Sequence, residues 1–513
     1  MSIMASATDL RARRNAPQLA ALAGVEREIR SYDSSSRRKY LQDFTRAYRS
    51  YSSVINHEEI KSAVRAADTI LIGDYHALPA SQRYVASLVE QCAQPGDRPV
   101  ILGLETIFSR DQHIVDEWWR REIDEKEFRE RIRFDLDWGY DWAPFFEMLA
   151  TAREFAEGLY GLDCMPREDL RKIGARDRHA AHKIAEIRER HPNALILVLF
   201  GESHLAPQHL PRALKEELPA SRRLTILQNV DALYWKAAGE KHERVEAVRV
   251  NEEVICVFNS TPLEKYENYR LHLSRWGRAD EEGPDLAPTI YNLIDSLLRF
   301  FQINRYSPHN HTQPKFLVDL MPEVYCRSSA GRLHGLLTRK GIAEEDSKAL
   351  LHRVEDRGSV YLPHVNAFYV RDFQMMYAAE ESARFLHHAC RGLPLREKPG
   401  RAPEPADRFY VRTLEHALGY FGSRVLYPSR PAVEEAELHL LRNSRPMRGK
   451  EFDASTELLG YMMGNALYDG YLNGRVKPGT LRRVLLTHLE VPGKAKELYW
   501  ELAKKLKKPV VRR

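Results

Sequence analysis

The chain has 513 residues, 43% of them hydrophobic, with 78 basic and 72 acidic side chains and a formal net charge of +6. That length holds two or three cores, and no apolar run reaches the roughly 18 residues of a membrane-crossing helix. The five cysteines (Cys92, Cys164, Cys256, Cys326, Cys390) are odd in number and scattered, with no Cys-x-x-Cys pair, which excludes a disulfide framework and a thiolate zinc site and points to a reducing cytoplasm.

In chain order, residues 1–64 read as a charged helical segment. Arg11, Arg13 and Arg14 lie near its start without a continuous apolar stretch, so no secretory signal is expected. A first strand, Ile70–Ile72, ends at Gly73-Asp74-Tyr75-His76, and Pro79 then suits the first turn of a helix through Tyr84–Cys92. A second strand, Pro99–Leu104, ends at Glu105; tryptophan-rich amphipathic helices follow through Trp118, Trp119 and Trp142. The third strand, Leu159–Leu162, ends at Asp163, and a long helix spans Arg167–Arg190. The fourth, Leu195–Phe200, ends at Gly201-Glu202-Ser203-His204, and a fifth covers Leu224–Leu227. Ala232–Ala237, Arg244–Val250 and Val254–Phe258 alternate in polarity and read as a terminal, antiparallel meander.

Strands apolar over their whole length are buried on both faces, the mark of a parallel sheet covered by helices. The expectation is an α/β domain over residues 65–260, mainly parallel and flanked by helices, followed by a mostly α-helical C-terminal half. That half divides into a helical domain at 286–393 and a second at 407–513, joined by the Pro-rich run Pro394–Pro405. Its predicted helices include Ile290–Phe301, Gly331–Leu337, Ala343–Val354 and Phe373–Cys390, with close helix packing at Gly460 and Gly464. Lys504, Lys505, Lys507, Lys508, Arg512 and Arg513 equal the whole charge excess. They read as a solvated tail, so nucleic-acid binding is not expected.

Parallel strands bring their carboxyl ends to one edge, where open α/β sheets bind ligands. Asp74, His76, Glu105, Asp163, Glu202 and His204 would gather there. His76, Glu105 and His204 form a donor set for a divalent transition metal such as zinc, manganese or iron; the same groups suit general acid–base chemistry. Glu105 is costly to bury without a partner, its alternative role being a helix N-cap. Asp177 shares the helical stripe of Ile173, Ala180 and Ile184 and so points inward, toward the crevice or into a pair with a neighbouring arginine. Ser203 lacks the second glycine of a nucleophile elbow, since Leu205 stands there. Trp138–Trp142 reads as packing or as walls for a flat ligand, and His309-Asn310-His311 as a polar loop.

In this order the motifs resemble the ChaN-like haem-binding uptake family, of the group that includes the Tiki metalloproteases and erythromycin esterases. The resemblance covers about residues 65–235. Gly73 and His76 match the first motif, Glu105 the acid of the second strand, and Gln112 a polar helix position. Arg176-Asp177-Arg178 matches the family's Arg-Asp run, and Gly201 with His204 the closing motif. Asp74 stands where glutamate is usual and Ala180 where methionine is usual. The family's haem-ligating tyrosine has no numbered counterpart, and its haem carriers are typically exported lipoproteins. The resemblance implies that Gly73, His76, Glu105, Gly201 and His204 bind a small-molecule or cofactor ligand, either haem or a divalent transition metal. A metal-dependent hydrolase is the alternative, with Glu105 and Asp177 catalytic. A third reading is a degenerate site on a scaffold whose helical C-terminal half binds a protein partner.

Overall fold

The protein is described by a computed structural model over residues 6–32, 39–94, 96–164, 173–241, 244–275, 284–304, 317–341, 354–355, 357–391, 405–431, 450–489 and 491–506. It forms two compact units: Glu28–His272, and Met1–Arg27 with Leu273–Arg513.

In the first unit β1 (Ser53–Ile55), β2 (Thr69–Asp74), β3 (Val100–Phe108), β4 (Gly158–Asp163), β5 (Leu195–Gly201), β6 (Arg223–Gln228), β7 (Ala247–Asn251) and β8 (Val254–Val257) make one sheet, ordered β1-β7-β8-β6-β2-β5-β3-β4. From β4 across to β8 every pairing is parallel; β7 runs antiparallel to β8 and to β1. Helix α1 (Ala7–Tyr32) belongs mainly to the second unit; the helices of the first are α2 (Lys39–Ala47), α3 (His57–Ala66), α4 (Pro79–Cys92), α5 (Gln112–Trp119), α6 (Glu125–Arg131), α7 (Phe134–Asp137), α8 (Trp142–Phe155), α9 (Ile173–Arg190), α10 (Leu210–Glu217), α11 (Asp231–Glu240) and α12 (Pro262–Arg275). One face of the sheet is covered by α3, α4 and α8 through Val64, Val85 and Leu149, the other by α2, α9, α10 and α11 through Phe44, Ile184, Leu214 and Leu233. Every residue of β2, β3 and β5 is buried between them.

Three local expectations are corrected. Ala232–Ala237 lies in helix α11, which buries Leu233 and Ala237 at a spacing of four, a helical period. Ser53–Ile55, within the segment read as helical, adds a strand beside β7. β3 continues to Phe108, so Glu105 lies inside a strand, where the register with β4 shifts between Leu104 and Phe108. The meander is therefore β7 and β8 alone, antiparallel as expected.

The second unit contains the helices Ala287–Phe301, Ala330–Arg339, Met375–Ala389, Pro405–Leu426, Lys450–Leu472, Pro478–Leu486 and Lys494–Leu506. It also carries a small sheet of β9 (Glu323–Cys326), β10 (Ser359–Leu362) and β11 (Ala367–Val370), ordered β10-β11-β9. A side chain at Gly460 or Gly464 would collide with His416 or Ala417, which is the close helix packing expected there. Residues 309–311, most of 343–354, most of 394–405 and the end of the basic tail lie outside the described residues. Among the described residues no helix is long and apolar enough to cross a membrane.

Candidate functional site

β2 and β5 are neighbours, and their register pairs Asp74 with Gly201, so the two glycine-to-histidine turns leave the sheet side by side. β3 lies on the far side of β5, and its pairing there ends at Leu104 with Leu199. Glu105 thus comes next to the second turn.

The two histidines are held alike. His76 Nδ1 is 2.7 Å from Asp74 Oδ2, and the other Asp74 oxygen accepts from Gln82 Nε2 at 2.5 Å. His204 Nδ1 is 2.6 Å from Asp177 Oδ1, whose second oxygen accepts from the Tyr40 hydroxyl at 2.6 Å. A carboxylate on Nδ1 fixes the ring and leaves Nε2 to act. His76 Nε2 lies 3.7 Å from Glu105 Oε2, and His204 Nε2 lies 3.9 Å from Glu105 Oε1. The imidazoles thus address the two oxygens of one carboxylate.

Glu105 is buried and anchored. It accepts from the Gly201 N–H at 2.5 Å and from Arg176 Nη2 at 2.6 Å, and it caps no helix. Arg176 also donates to both oxygens of Asp163 at 2.8 Å. Burial opposes the Arg176 charge, but Glu105 and Asp163 outweigh it and raise the pKa. Gly201 packs tightly into this cluster: a Cβ there would sit 2.9 Å from Glu105 Oε2 and 3.4 Å from His76 Nε2. Burial first, then the bond to Asp177, push the Tyr40 phenol up, so it stays a donor.

The rim is aromatic. The His76 ring lies 5.1 Å from Trp138 and 5.2 Å from Tyr140, and Tyr140 stacks on His272 at 4.1 Å. The His76 side chain is 16% exposed and that of His204 5%, so His76 is the outer of the two.

His76, Glu105, Asp163, Asp177, Gly201 and His204 come together as a set; Gly73 stands just before Asp74 on β2, with Leu205 and Glu202 as its nearest side chains. Glu202 does not join them: it bonds to Lys265 at 3.2 Å, and burial pushes its carboxyl up. Gln112 ties α5 to β4 through the Leu159 carbonyl and the Gly161 N–H. The oxygens of Asp177 bond to His204 and Tyr40 and not to a neighbouring arginine. Tyr40, Gln82 and Lys265 were not singled out in the sequence. Tyr40 lies 137 residues from Asp177, and no local pattern marks it. Among the described residues no group of three or more His, Cys, Asp or Glu is arranged to hold a metal ion; both Glu105 oxygens already accept hydrogen bonds.

No curated protein matches this chain. A solved structure described as "Cofacial heme binding to ChaN of Campylobacter jejuni" matches at 14% identity and a TM-score of 0.29, over 36% of this chain and 89% of that one. Residues 60–177 match the family described as haem-binding uptake, Tiki superfamily, ChaN. By that match the α/β unit resembles the ChaN-like haem-binding uptake family.

Proposed function

We propose that the carboxyl edge of the eight-stranded sheet binds haem, with His76 as the imidazole offered to the iron. The observation that carries this reading is the setting of His76. It is partly exposed, its Nδ1 is held by Asp74, and Trp138 and Tyr140 flank its ring. A carboxylate-backed imidazole is a good iron donor, and aromatic walls suit a flat apolar macrocycle, so the residues present fit the group. When bound, haem supplies a redox-active iron. The chain's own part is to hold His76 in one tautomer through Asp74 and Gln82, and to fix the Glu105 carboxyl through Arg176 and the Gly201 N–H.

Titration of the full chain with haemin tests this directly. A saturable Soret shift is expected, lost in His76→Ala with little change in melting temperature, because a rim imidazole leaves no core cavity. An unchanged Soret shift in His76→Ala overturns the assignment.

One observation favours a second reading, hydrolysis. Both Nε2 atoms converge on the two oxygens of Glu105, a pairing that can move protons to and from a water or a substrate oxygen. Ester or amide cleavage lost in His76→Ala, His204→Ala and Glu105→Gln, with no haemin response, would support it instead.

A further inference from the structure

At the opposite end of β2 from the histidine turns, helices α3 and α4 part to leave a cavity of about 600 Å³. That volume lies within the range of pockets for drug-sized molecules. Ile60 and Val64 on α3 face Leu88 and Cys92 on α4, each pair one helical turn apart, and Tyr84 and Leu195 complete an apolar floor. Burial pushes the Cys92 thiol up to about 11, so it stays protonated and lines the cavity as an apolar wall.

The mouth is basic, with Lys61, Arg65 and Arg98 among its lining and Asp97 as the acid. Arg98 is engaged, bonding to Asp68 at 3.2 Å and to the carbonyls of Arg65 and Ala67. Lys61 shares an exposed pair with Glu58, a bond worth little in water. The Arg65 guanidinium makes no ion pair among the described residues. An apolar trough with exposed cations at its mouth is complementary to an amphiphile with an anionic head.

We propose that this groove binds a small apolar carboxylic acid, its hydrocarbon along Ile60, Val64 and Leu88 and its carboxylate at Arg65 and Lys61. The site is separate from the one at His76, because β2 spans Thr69–Asp74 between them, roughly 20 Å at about 3.3 Å per residue.

The test uses the full chain, with dodecanoate displacing the fluorescent probe 1-anilinonaphthalene-8-sulfonate. Saturable displacement is expected, with dodecanol markedly weaker than dodecanoate. Ser87→Trp fills the mouth from the exposed side of α4, and Arg65→Glu reverses the charge; each should weaken dodecanoate about tenfold or more, while Arg65→Lys keeps most of the affinity. Both positions are exposed, so both variants should melt like the parent. His76→Ala and His204→Ala should bind dodecanoate unchanged, and Ser87→Trp should still take up haemin, which separates this site from the haem reading. No displacement, equal affinity for dodecanol, or parent-like binding by Ser87→Trp or Arg65→Glu overturns the proposal.

Discussion

Gly201 is a glycine for lack of space, since its backbone is one any residue can adopt (φ −50). A Cβ would meet Glu105 Oε2 at 2.9 Å, and that oxygen cannot swing aside cheaply because Arg176 holds the other end of the carboxylate. Gly201→Ala should therefore destabilise the fold by about 1–3 kcal/mol, the usual cost of overpacking, and weaken any ligand of the His76–Glu105–His204 cluster. Gly73→Ala is the control: its Cβ would meet Leu205 at 3.4 Å and Glu202 at 3.5 Å, an ordinary contact, so urea melts should show a smaller loss. Tyr40 acts one step further out, on the carboxylate that orients His204. Tyr40→Phe removes a hydrogen bond to a charged group, worth about 1.5–3 kcal/mol when buried and less at this half-buried position. The imidazole NMR signals of His204 should move while those of His76 stay. Equal movement of both would show that Tyr40 acts through general loosening.

At the scale of elements, the entry to β2 is clamped by Asp68. Its carboxylate takes Arg222 at 2.7 Å and Arg98 at 3.2 Å, binding the loops before β2, β3 and β6 together. The Arg222 side-chain bond, against the opposing effect of burial and with help from the Arg222 N–H, lowers the Asp68 pKa from 3.8 to about 2. A carboxyl that is more acidic when folded adds stability that is present above its unfolded value and lost as pH falls toward the folded one. The contribution should hold above about pH 4 and disappear by about pH 2. Asp68→Asn should lower the melting temperature at neutral pH, with the gap to the parent closing across that window. A gap that persists at pH 2 would mean the clamp works by shape instead of charge.

At the scale of the whole molecule, the second unit buries charge unusually deeply. The helix Met375–Ala389 places Glu380, Glu381, Arg384 and His387 inside, and the His388 side chain is only 15% exposed. Burial, against the pull of Glu415, lowers the His388 pKa from 6.5 to about 4, and burial lowers His387 as well. A base that is harder to protonate when folded favours unfolding as pH falls, because the unfolded chain takes the proton first. Stability should drop between about pH 6.5 and 4, by on the order of 3 kcal/mol for His388 alone. Urea melts of the full chain followed by circular dichroism should show this, with a shallower loss in His388→Gln. An identical pH profile in that variant would refute the role of His388.

The sequence by itself determined the parallel α/β core and the edge where its polar turns collect. Uninterrupted apolar strands such as Leu195–Phe200 must be covered on both faces, and parallel strands share their carboxyl ends. The inward stripe of α9 likewise marked Asp177 as buried, because helical period alone sets which face is covered. Tertiary structure decided the partners. Periodicity names a face but not the group opposite it, so the bonds of Asp177 to Tyr40 and of Arg176 to Glu105 depended on strand order and register. The same limit made α11 look like a strand, since a short alternating run is ambiguous until neighbours exist. Burial cost marked Glu105 in the sequence, but the partners that separate it from Glu202 came only with the fold. Lys265, from a helix after the last strand of the sheet, draws Glu202 away, while Arg176 and the Gly201 N–H hold Glu105 between the histidines.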